Sequence, residues 1–299
     1  MQLDKTYIAI RERDMLDIMD LSLQVIRFFF KPLIITFLVG VVPFVIFQHW
    51  LLGGFDPMIL DGNDFFVNEW DWRLTVAFKC AVFVLFFAPL ASVPTTLYLG
   101  QALFSEQPDA RRMFQDWLRS LPQLCFLQLG IRSLLLSAIY FCLFNIDSPL
   151  GAMLVFLTLL TIILPFAVWP YLNEIIVLER NPFFSRKSKP NSTMRRAGAL
   201  HRNSFGELLL RWLTSAAYAF LLSGLLFLAI WFTKLWTTGN LDLSRLNFLL
   251  LLEFSTWTTV CYFMVARFLC YLDLRIRREG WEVELKMRAE GARLAKQLS

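Results

Sequence analysis

His49, His201 and the cysteines Cys80, Cys125, Cys142, Cys261 and Cys270 are the side chains best suited to nucleophilic, acid–base or metal chemistry, and their placement argues against all three. Neither histidine has a Cys, Asp or Glu at ligand spacing, and the topology derived below puts them on opposite sides of a bilayer. The cysteines fall in apolar stretches without a CxxC pair or Cys/His cluster, so they read as small packing residues. HExxH, GxSxG and glycine-rich phosphate-loop patterns do not occur. DGND at 61–64 carries oxygen ligands but lacks the regular spacing of a calcium loop. These residues predict no enzyme, no cofactor and no metal site.

The other reactive candidates are charges inside apolar stretches, where an ionised group costs about 3 kcal/mol or more and therefore faces the interior of a helix bundle. Arg132 falls near the middle of one such stretch, and Lys79 and Glu253 lie six or seven residues from the ends of theirs. Pairing Glu253 with Arg132 or Lys79 would satisfy both partners. That trio is either an ion pair locking the bundle or a polar site for a solute or lipid head group, and Asn173 and Gln128 could extend either arrangement. Glu174 and Arg267 stand near span ends, where a long side chain reaches water at little cost.

The elements that must position these residues are membrane helices. The chain is 57% hydrophobic and 18% charged, well to the apolar side of a water-soluble domain. Apolar blocks at 33–52, 74–104, 122–144, 150–178, 208–234 and 246–272 each reach the roughly 20 residues that cross about 30 Å of hydrocarbon. An all-α polytopic membrane protein with six transmembrane helices follows. Between Glu179 and Arg211 eight basic residues face two acidic ones, which holds that loop in the cytoplasm. Alternation from it assigns 24 of the 29 basic residues to the same side, with both termini inside. The expected organisation is an amphipathic segment at 1–32, a six-helix transmembrane domain at 33–272 and a cytoplasmic helical tail at 273–299. The N-terminus is too acidic and too weakly apolar for a cleaved signal peptide, so the first span is the expected targeting element.

Ile8, Met15, Met19 and Ile26 recur at helical spacing opposite Arg13, Asp17, Asp20, Gln24 and Arg27, predicting a helix that lies in the interface or packs under the bundle before turning at Pro32. Met113, Phe114, Trp117, Leu118 and Leu121 predict a second one over 108–121. A weak internal repeat joins PLASVP at 89–94 to PFAVWP at 165–170. Two proline-kinked spans with freed carbonyls taken by neighbours, arranged as hairpin-like repeats, are the expected consequence.

Three stretches together carry a family likeness: E-x-x-V-L-E at Glu174–Glu179, RRxxxLHR at Arg195–Arg202, and YLDLRIRREGWEVEL from Tyr271. With the span pattern they resemble the bacterial six-helix family named for the membrane domain of glycerophosphoryl diester phosphodiesterases. The resemblance implies a phosphodiesterase only where a catalytic barrel is fused; the 27 residues from Asp273 are too few for one, which needs about 250.

The functional expectation is a non-enzymatic protein of the bacterial inner membrane, a scaffold or accessory subunit acting through basic cytoplasmic loops. The alternative from another class is a transporter or lipid-handling protein with its site near Arg132 and Glu253. Expected partners are the bilayer, anionic lipid head groups through Arg186, Lys187, Lys189, Arg195 and Arg196, and a cytoplasmic or membrane protein. Nucleic acid is excluded, because the basic residues flank apolar blocks and form no continuous stripe.

Overall fold

The structure, a computed structural model, describes residues 14–54, 69–102, 108–127, 170–179, 192–201, 205–239 and 244–279. Among these every regular element is helical. In chain order they are α1 (Met15–Phe28), α2 (Phe30–Gly54), α3 (Glu69–Ala91), α4 (Val93–Ala102), α5 (Ala110–Phe126), the short α6 (Leu172–Glu174) continued by a π-helical segment (Ile175–Glu179), α7 (Thr193–His201), α8 (Phe205–Thr238) and α9 (Arg245–Glu279). Among the described residues four stretches are long and apolar enough to cross a membrane: Phe30–Leu52, Trp72–Ala102, Gly206–Thr238 and Arg245–Arg277. Arg132, DGND and most of the blocks at 122–144 and 150–178 lie outside the described residues.

The chain turns between α1 and α2 at Phe29, whose N–H donates to Val25 O, three residues before the expected turn at Pro32. Pro32 sits in the first turn of α2, where the missing N–H has no intrahelical partner to lose. α1 is amphipathic, but the centre of its buried face is Ile18, Ser22 and Val25, with Met15 and Ile26 at its flanks. It packs along α9, where Tyr262 Oη donates to Met19 O at 3.1 Å.

A break in the second span falls where the kink is expected. α3 ends at Ala91 and α4 begins at Val93, so the break falls at Ser92 between the two prolines. Two carbonyls beside the break meet neighbours. Pro89 O accepts from the Ser92 hydroxyl at 2.8 Å and from Asn173 Nδ2 at 3.1 Å, and Ala91 O lies against Gly40 of α2, where an added Cβ would sit 2.1 Å away. Only glycine permits that approach. Beyond the break, α4 is buried from Val93 through Leu99. It is the axis around which α2, α5, α9 and the π-helical segment gather.

Two apolar clusters mark the ends of the bundle. Leu33, Ala102, Leu208 and Leu274 share the larger, which also holds Ile18, Leu124, Tyr171 and Leu200. Leu52, Trp72, Val76, Cys80 and Leu249 form the smaller. The beginnings and ends of the four candidate spans thus alternate between two ends of the molecule. Between them Phe44, Phe47, Phe83 and Phe87 fill the α2–α3 contact, with Phe83 and Phe87 ring centroids 4.3 Å apart. α9 runs unbroken through position 273, and Asp273 is buried, so the expected boundary between bundle and tail falls inside a packed helix.

Candidate functional site

The larger cluster carries the densest polar chemistry, and it is assembled by α9. Glu174, 3% exposed, receives Arg267 Nε at 2.5 Å and Nη2 at 3.1 Å. The same Nη2 donates to Pro170 O, at the turn that precedes α6. Asp273, also 3% exposed, accepts from Arg211 Nη1 at 3.0 Å and lies 3.1 Å from Arg277 Nε. Glu207 bridges Arg211 at 3.0 Å and Arg277 at 3.1 Å. Glu179 takes Arg196 Nε at 2.9 Å and the Tyr271 hydroxyl at 2.9 Å, with Arg275 Nε at 3.9 Å.

Each of these four carboxylates therefore meets at least one guanidinium. Desolvation offsets most of the Coulombic gain of such pairs, so they contribute little net stability. Breaking one leaves a buried charge uncompensated, and the network therefore specifies which helices meet and at what register.

His201 closes the cluster. Its Nδ1–H donates to Ala197 O at 2.6 Å and its ring stacks on Tyr171 at 6.0 Å, while Nε2 is buried without a hydrogen-bond partner among the described residues. Burial pushes its pKa below the usual histidine value, against smaller opposing effects from the Ala197 carbonyl and Glu174. The ring is thus neutral, and its lone pair is the cheaper group to leave unpaired.

No family model, curated protein or solved structure matches this chain.

The opposite end holds a second polar group. Gln48 is fully buried, donating through Nε2 to Cys80 Sγ at 2.9 Å and accepting from Trp257 Nε1 at 2.9 Å. His49 Nδ1 lies 3.2 Å from Glu253 Oε2, the carboxylate being 3% exposed and the imidazole 40%. Glu253 Oε1 is buried without a partner among the described residues. Glu253 is therefore partnered by a histidine that sequence spacing left isolated, 204 positions away. Lys79 is half-buried on α3, one residue before Cys80.

Of the basic residues expected at a head-group surface, Arg195 is exposed on α7 and Arg196 is turned inward to Glu179, while Arg186, Lys187 and Lys189 lie outside the described residues. Sequence reasoning missed the network. A signal was available in the recurring Tyr-Leu pairs at Tyr98, Tyr171 and Tyr271, all three tyrosines buried in the larger cluster, two of them followed closely by a buried acid.

Proposed function

We propose that this chain is a non-enzymatic integral protein of the bacterial inner membrane, with six spans and both termini in the cytoplasm, that serves as a scaffold or accessory subunit through its basic cytoplasmic side. The observation carrying this reading is the inward pairing of Arg196, Arg211, Arg267, Arg275 and Arg277 with buried or half-buried acids. These charges hold helices together, and the basic residues left to meet a partner are those facing out, such as Arg195, Arg111 and Arg119. The likeness to the glycerophosphoryl diester phosphodiesterase membrane-domain family belongs to the same proposal. Its three motif stretches supply Glu174 and Glu179, then Arg196 and His201, then Tyr271, Asp273, Arg275 and Arg277, and these residues all lie in or against one network.

A second reading, a transporter or lipid-handling protein with its site near Arg132 and Glu253, is favoured by one feature: Glu253 has a buried oxygen that is unpartnered among the described residues, beside a half-exposed histidine. Proteoliposomes separate the two. A scaffold is expected to show neither solute flux nor lipid exchange above protein-free vesicles, while photo-crosslinking from position 195 in cells captures a discrete protein. Flux or exchange that is lost on Glu253→Gln would overturn the scaffold reading in favour of the second.

A further inference from the structure

The helix α5 divides into two faces. Met113, Trp117, Ser120, Leu124 and Leu127 point into the larger cluster, where they meet the neighbourhood of Leu33, Ala102, Leu208 and Leu274, the residues at which all four candidate spans begin or end. α5 therefore lies at the edge of the apolar slab rather than within it. Its other face is exposed and mixes Arg111, Arg112 and Arg119 with Phe114 (55% exposed), Gln115 and Leu118 (49% exposed). At 100° per residue Phe114 and Leu118 fall on one edge of that face and Arg112 and Arg119 on the other, with Arg111 between them. Asp109 caps the helix through Arg111 N and Arg112 N and holds the Arg112 guanidinium at 3.3 Å, while Asp116 is half-buried. Arg111 and Arg119 are the guanidiniums on this face not bound to that cap.

We propose that α5 is the contact of this protein with anionic lipid: Phe114 and Leu118 enter the acyl boundary while Arg111 and Arg119 bind phosphate head groups. The charge and apolar pattern fits that partner. Guanidinium forks match phosphate oxygens, and an interfacial helix needs an apolar edge beside a cationic one. The inference rests on the proposed cytoplasmic placement of this end, because anionic head groups attract basic segments most strongly there. It moves the lipid contact from the central loop, Arg186 to Arg196, to a folded helix.

The test uses the full chain, relipidated in a mixture of phosphatidylcholine and phosphatidylglycerol and weighed with its retained lipids by native mass spectrometry. Wild type is expected to retain phosphatidylglycerol preferentially. Each arginine near a charged surface contributes roughly a fivefold preference, so Arg111→Gln with Arg119→Gln lowers it by on the order of 25-fold. The lysine pair, Arg111→Lys with Arg119→Lys, is expected to keep most of it. Neutralising the loop at Arg186, Lys187, Lys189 and Arg195 is expected to leave it intact. If the loop variant loses the preference and the α5 glutamine variant keeps it, this inference is overturned while the basic-surface reading stands. Absence of any preference in wild type also overturns the inference, while the scaffold reading stands or falls on the crosslinking from position 195. Unchanged thermal unfolding of the variants excludes misfolding as the cause.

Discussion

At the scale of single residues, the pair Glu174–Arg267 shows how a buried charge is tolerated. Arg267 meets both carboxylate oxygens and also satisfies the Pro170 carbonyl, so removing it strips three acceptor oxygens at once. Arg267→Ala is expected to destabilise the protein by about 3 to 5 kcal/mol, seen as a lowered unfolding temperature in detergent. The double change Glu174→Leu with Arg267→Met is expected to be milder than Arg267→Ala; a larger loss in the double variant would show that the pair is a net stabiliser. His201 gives a pH dependence of definite sign. Its folded pKa lies below the unfolded value of about 6.5, so between the two the unfolded chain binds more protons. Stability from this residue is complete above pH of about 6.5 and falls as the medium is acidified through that value. The drop in unfolding temperature between about pH 7.5 and about pH 5.5 is expected to be smaller in His201→Gln than in wild type. An equal drop would mean that the ring is hydrated in the folded state.

At the scale of elements, the break between α3 and α4 depends on what surrounds it. Proline explains why the helix breaks there, while Asn173 and Ser92 donate to Pro89 O and the bare surface of Gly40 leaves room for Ala91 O. A methyl group at 40 would lie 2.1 Å from Ala91 O, a contact with backbone that no rotamer change relieves. Gly40→Ala is therefore expected to cost at least about 2 kcal/mol and to force α2 away from the break. Gly100→Ala meets only the tip of Leu178, 2.6 Å away, and is expected to cost less. Gly224→Ala meets nothing within 4 Å and is expected to be neutral or slightly stabilising, since alanine is the better helix former. Unfolding curves for the three proteins order these effects, and equal stability of Gly40→Ala and Gly224→Ala would refute the close packing at the break.

At the scale of the whole molecule, the span ends at Leu33, Ala102, Leu208 and Leu274 gather together, and those at Leu52, Trp72 and Leu249 gather opposite. With the first set proposed as cytoplasmic, alkaline phosphatase fused after Thr238 is expected to be active in cells and phosphatase fused after Arg211 inactive; the reverse pattern would invert the topology. Much of this was legible in the chain itself. Apolar blocks long enough to span a bilayer, the amphipathic pattern of 108–121 and the break between Pro89 and Pro94 depend on local composition and covalent geometry, which sequence displays directly. The turn at Phe29 was displaced from Pro32 because proline fits a helix start as readily as it ends one. The pairing of charges was not legible. Glu253 with His49, Glu174 with Arg267 and Asp273 with Arg211 join residues 204, 93 and 62 positions apart, and nothing in local spacing favours those partners over Lys79 or any other half-buried cation. Sequence by itself determined that the helices form and where each is apolar. The tertiary structure decided which helix faces which, because buried polar groups must find partners and only the packed arrangement fixes the ones within reach.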